Sequence, residues 1–71
     1  MIEDDREIDV PPDIEAGVWA NDVEAFGDLE DVTLDFIRMG PRNPRTGVVV
    51  ARVTFPLSCI IKLEHELGPF R

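Results

Sequence analysis

Apolar residues recur at every second position in four stretches of this chain and at helical spacing in a fifth. In residues 6–10, Ile8 and Val10 alternate with Glu7 and Asp9, the period of a short strand. Pro11-Pro12 ends it, since neither proline can donate a ladder hydrogen bond. A turn of helix over residues 13–16, opened by Pro12, leads to Gly17. Residues 18–26 form the second predicted strand. Trp19, Val23 and Ala25 share one parity with Asn21, which needs a hydrogen-bond partner if enclosed. Ala20, Asp22, Glu24 and Phe26 take the other. Turn-forming residues 27–31 suit a hairpin connection.

Residues 32–39 alternate most cleanly, with Val32, Leu34 and Phe36 on one face and Thr33, Asp35 and Ile37 on the other. After the proline-stiffened loop 40–47, residues 48–55 place Val49, Ala51, Val53 and Phe55 against Val48, Val50, Arg52 and Thr54. Valine on both faces predicts a central strand, or one whose second face meets another subunit. Pro56 is expected to open a helix over residues 57–67, whose stripe is Leu57, Ile60, Ile61, Leu63 and Leu67. Gly68 is the expected left-handed stop and Pro69 blocks continuation. The expected fold class is α+β: a small antiparallel sheet of three to four strands with one C-terminal amphipathic helix packed on it, in the order β-β-β-β-α.

These elements also carry a family resemblance. Ile8-Asp9-Val10-Pro11, Gly17-Val18-Trp19-Ala20-Asn21, Val32-Thr33-Leu34-Asp35-Phe36-Ile37 and Val50-Ala51-Arg52-Val53 resemble the prokaryotic family of unknown function DUF3467. That family usually has Gly-x-Tyr-Ala-Asn and Phe-x-Leu-Asp-Phe at the second and third of these places. The likeness spans residues 7–67 and implies an α+β fold in a prokaryotic protein, with no established activity to transfer. Trp19 stands where tyrosine is commoner, and Phe55 where a serine would cap the helix. The order of elements is similar, more loosely, to that of SecB-like export chaperones.

Seventy-one residues with 44% hydrophobic side chains and five aromatics predict one domain, residues 1–71, with 1–5 as a mobile lead-in. A core this small supports a fold only narrowly, so burial borrowed from a partner is expected. The net charge of −8 is split: residues 1–35 carry −12 and residues 36–71 carry +4. An acidic first half argues against nucleic acid and anionic membranes as partners. The acidic N-terminus is unlike a secretory signal, no apolar run reaches the roughly 20 residues of a membrane span, and the one cysteine can form no intrachain disulfide. A cytoplasmic location is therefore expected.

Catalytic chemistry finds no constellation. The single histidine, His65, is remote from the helical face of Ser58 and cannot share a metal with Cys59, which is expected to be buried or interfacial. Glu24, Asp28, Glu30, Asp31 and Asp35 do not match a calcium loop and read as a solvated acidic edge that discourages aggregation. No cofactor, metal or catalytic residue is assigned. Asp35, mid-strand, is expected to pair with Arg52. Arg38, Arg42 and Arg45 form a candidate anion patch around the glycine-bracketed loop. Trp19, Val48, Val50, Ile61 and Phe70 are candidate interface residues, with Trp19 alternatively anchoring a monomer core. The expected function is a non-enzymatic small acidic subunit acting by protein–protein interaction, in a homo-oligomer or a larger complex. The alternatives are a SecB-like holdase and a small-anion-binding domain.

Overall fold

A computed structural model of the chain describes residues 6–43 and 45–71. Along the chain these form a helical turn α1 (Pro12–Glu15), strands β1 (Asp22–Gly27), β2 (Asp31–Met39) and β3 (Gly47–Pro56), helix α2 (Cys59–Leu67) and a 3-10 turn, Gly68–Phe70. The fold is α+β, with three antiparallel strands in the order β1-β2-β3. Residues 6–10 are not a strand, although they alternate as a strand would. The expected lead-in 1–5 lies outside the described residues.

Each connection has a local cause. Gly17 leaves α1 at φ 71°, in the left-handed region, and its N–H donates to the Ile14 carbonyl at 2.8 Å. Between β1 and β2, Asp28 Oδ1 accepts the backbone N–H groups of Glu30 (2.9 Å) and Asp31 (3.0 Å). This is the asparagine/aspartate turn in which a carboxylate stands in for a backbone acceptor. In the β2–β3 loop, Gly40 N–H donates to Thr46 O, and Asn43 Oδ1 accepts from Arg45 N–H, both at 3.0 Å.

Strand pairing sorts the side chains onto two faces. Opposite Val32, Leu34 and Phe36 on β2 lie Phe55, Val53 and Ala51 on β3. Val23 and Ala25 on β1 join the same face opposite Phe36 and Leu34. This face is apolar. The other carries Asp22, Glu24, Phe26, Thr33, Asp35, Ile37, Arg52 and Thr54. A bulge between Phe36 and Ile37 leaves Val50 without an opposing residue, and beyond it Ile37 pairs with Val49 and Arg38 with Val48. The extra residue exchanges the expected faces of Val48 and Val49, because side chains alternate with a period of two.

Several boundaries differ from the sequence expectation. β1 starts at Asp22, so Trp19 precedes the strand. β3 is an edge strand, and β2 is the central one. Pro56 closes β3 instead of opening a helix. Helix α2 starts later, at Cys59, with Ser58 at its N-cap making no side-chain cap bond. Gly68 stays right-handed at φ −51° and ψ −45°, so the chain runs on into the 3-10 turn.

No apolar residue among those described is buried. The chain exposes 6741 Å², whereas a globular monomer of 8.0 kDa exposes about 4,500 Å². Its radius of gyration of 15.0 Å exceeds the roughly 11 Å of a compact 71-residue domain. Helix α2 meets β3 and no other strand, and α1 meets none of the other elements. The apolar sheet face and the apolar stripe of α2 are both formed, and no described residue of either is buried.

Candidate functional site

The one buried residue among those described is polar. Asp35, at the centre of β2, is 5% exposed. Its Cα partners are Glu24 on β1 and Arg52 on β3. Arg52 Nε donates to Asp35 Oδ1 at 2.6 Å and Arg52 Nη2 to Oδ2 at 2.7 Å, the two-pronged geometry that a planar guanidinium offers a carboxylate. The structure thus brings together the two residues whose pairing parity suggested. The hydrogen bonds from Arg52 hold the Asp35 carboxyl below its ordinary value, against the opposing effect of burial. The same bonds raise the Arg52 guanidinium.

The guanidinium lies 5.6 Å from the centre of the Phe26 ring, a cation–π contact that joins the two edge strands across β2. Beside it, the hydroxyls of Thr33 and Thr54 hydrogen-bond to each other at 2.8 Å. Asp35, Arg52, Thr33 and Thr54 are thus each engaged by a neighbour in the sheet. No nucleophile is held against a base, and no three metal-ligating side chains converge among the described residues. As chemistry, the arrangement fixes the register of β2 against β3.

The remaining expected residues are dispersed. Trp19 is 65% exposed and anchors no core. Asn21 finds its partner: its Oδ1 accepts the Met39 N–H at 2.8 Å, and its own N–H donates to the Ile37 carbonyl at 2.9 Å. Val48 is the second residue of β3 and is 66% exposed, Val50 is the half-buried bulge residue, and Ile61 and Phe70 are 75% and 83% exposed on α2 and the 3-10 turn. Cys59 is an exposed free thiol, not a buried one. Arg38, Arg42 and Arg45 are all exposed. Arg38 lines a shallow depression with Met39, Pro41, Thr46 and Val48, in which Arg42 and Arg45 take no part.

Sequence reasoning missed one feature. Ile14 and Val18 face Ala51 and Val53 across an open apolar groove of about 350 Å³, running between the α1 segment and the apolar face of β3. The sequence pattern places Ile14 in a helical turn and Val18 in a strand. The signal available was composition, two aliphatic residues flanking Gly17 with no hydrophobic periodicity to say what they face.

No known family model, no curated protein and no solved structure matches the chain. No helix among the described residues is long and apolar enough to cross a membrane.

Proposed function

We propose that this chain is a small, non-catalytic acidic subunit that acts by protein–protein interaction, assembling with copies of itself or attaching to a larger protein. One observation carries the reading: an amphipathic sheet and an amphipathic helix are present with no apolar residue buried among those described. The surplus surface, about 2,200 Å² over a compact monomer, exceeds the roughly 800 Å² per partner of a standard protein interface. The polar face supports the same reading, because its central Asp35 and Arg52, and its Thr33 and Thr54, are spent on one another. The residues resembling DUF3467 lie largely on the strands and their approach, which suits a family defined by shape before chemistry. A prokaryotic cytoplasm is the proposed setting.

The test is sedimentation velocity of the purified chain over a hundredfold range of concentration, beside isolation of the protein from its own cells. Assembly predicts a species heavier than one chain, or a stoichiometric partner. A monomer at every concentration, isolated alone, contradicts it.

The groove lined by Ile14, Val18, Ala51 and Val53 favours one second reading, a SecB-like holdase that receives apolar segments of unfolded chains. It predicts that a model substrate stays in solution at stoichiometric ratios, and unchanged aggregation excludes it.

A further inference from the structure

The two edges of the sheet are not equivalent. Strand β1 is six residues long, contains Asp22 and Glu24, and ends in Gly27. Short length and charged side chains are among the features by which proteins keep an edge from pairing. Strand β3 is ten residues long, has valine at positions 48, 49, 50 and 53, and carries proline only at its last position. Its one charged residue, Arg52, is bound to Asp35 and does not guard the edge. Among the described residues, no residue of β3 makes a backbone hydrogen bond outside the ladder with β2. Among the described residues, one side of this strand therefore presents a row of N–H and C=O groups with no strand beside it.

We infer that β3 is the assembly edge, and that its occupant is the β3 strand of a second copy, paired antiparallel to make a continuous six-stranded sheet. The inference rests on the proposed interaction function and specifies its surface. Three arguments select this partner. Pairing β3 with β3 matches ten residues to ten, whereas β1 of a second copy would leave four unmatched. A twofold pairing closes on itself and leaves only the acid-guarded β1 edges outside, whereas β1-to-β3 pairing propagates as an open chain unless its rotation closes. Charge weighs against joining two β1 edges: each chain carries −8, with −12 concentrated in residues 1–35, where β1 lies. Joining the chains at β3 keeps the acidic edges of the two sheets apart.

The test is a single-cysteine scan. In a Cys59→Ser background, Val49→Cys, Val50→Cys, Ala51→Cys, Arg52→Cys, Val53→Cys and Thr54→Cys are each oxidised under native conditions, with Glu24→Cys as the β1 control. A twofold axis brings identical positions within disulfide range only near the axis. One position, or two adjacent ones, should therefore give about tenfold more linked dimer than the others and than the control. Six single substitutions along one strand guard against any one of them failing to fold, and circular dichroism of each reports that directly. A dimer that forms without a preferred β3 position, or that links more readily through Glu24→Cys, overturns the β3 assignment and leaves the interaction function standing. A chain monomeric alone but isolated with a stoichiometric larger partner does the same. A chain that is monomeric and isolated alone overturns both.

Discussion

Replacing Gly27 by alanine should break the β1–β2 hairpin, and the cost can be worked from the backbone. Gly27 has φ 157°, where side chains are disfavoured. A Cβ built there overlaps the carbonyl oxygen of Asp31 and lies 3.0 Å from the Val32 Cα, both of them backbone atoms that no rotamer change can move aside. The dihedral alone costs about 1–3 kcal/mol. Relieving the overlap means opening the turn closed by the Asp28 N–H bond to Asp31 O at 3.0 Å. A total of about 3 kcal/mol or more follows, a large share of what so small a core supplies. Gly17 is the matched control, with φ 71° and nothing within 4 Å of an added Cβ. There the left-handed backbone alone costs about 1–2 kcal/mol. Urea unfolding followed by circular dichroism, at one fixed protein concentration, separates the two. With a slope of about 1 kcal/mol per molar urea, Gly27→Ala should lower the midpoint by about 3 M or unfold the protein, and Gly17→Ala by about 1 M. A Gly27→Ala midpoint within about 0.5 M of the parent would refute the reasoning.

Three further outcomes are expected. Asn21→Ala removes the acceptor for the Met39 N–H and should cost about 1 kcal/mol, while Asn21→Asp, which keeps an acceptor oxygen, should cost less; equal losses would show that the side-chain bond is not what matters. Asp35 and Asp28 both ionise below the ordinary value of 3.8 in the folded chain, the first through Arg52 and the second through the Asp31 and Glu30 N–H groups. Their stabilisation is full above that value and is lost as pH falls below it. Stability should thus hold from neutrality down to mildly acidic pH and drop beneath 3.8, with a shallower drop in Asp35→Asn; an identical acid limb in that variant would count against the pair. Trp19, exposed in the single chain, should shift its fluorescence to the blue and resist acrylamide quenching as concentration drives assembly. Quenching that stays constant while the mass rises would place Trp19 outside the interface.

What alternation reports is which face a residue takes, and where that suffices the sequence reading is close to the structure. Residues 32–39 and 48–55 differ from β2 and β3 only at the ends, and the opposition of Asp35 to Arg52 follows from parity once the strands are neighbours. Alternation does not report whether a neighbour exists. Residues 6–10 have the strand pattern but are not a strand, and the valines of β3 read as central although the strand lies at an edge. The Val50 bulge is likewise silent, because an unopposed valine looks like any other in a β-branched run. Pro56 illustrates two roles with one signature: the missing N–H that suits a helix start suits the end of a strand equally well. The groove between Ile14, Val18, Ala51 and Val53 joins segments more than thirty residues apart in sequence, and no local pattern encodes it.

The central claim is that this chain completes its core with another protein. Native mass spectrometry of the protein isolated from its own cells tests it most directly, since one spectrum gives both stoichiometry and partner. The account predicts a mass that is a multiple of the 8.0 kDa chain, or that of a complex in which the chain is one component. A single 8.0 kDa species, still folded and alone, would contradict it.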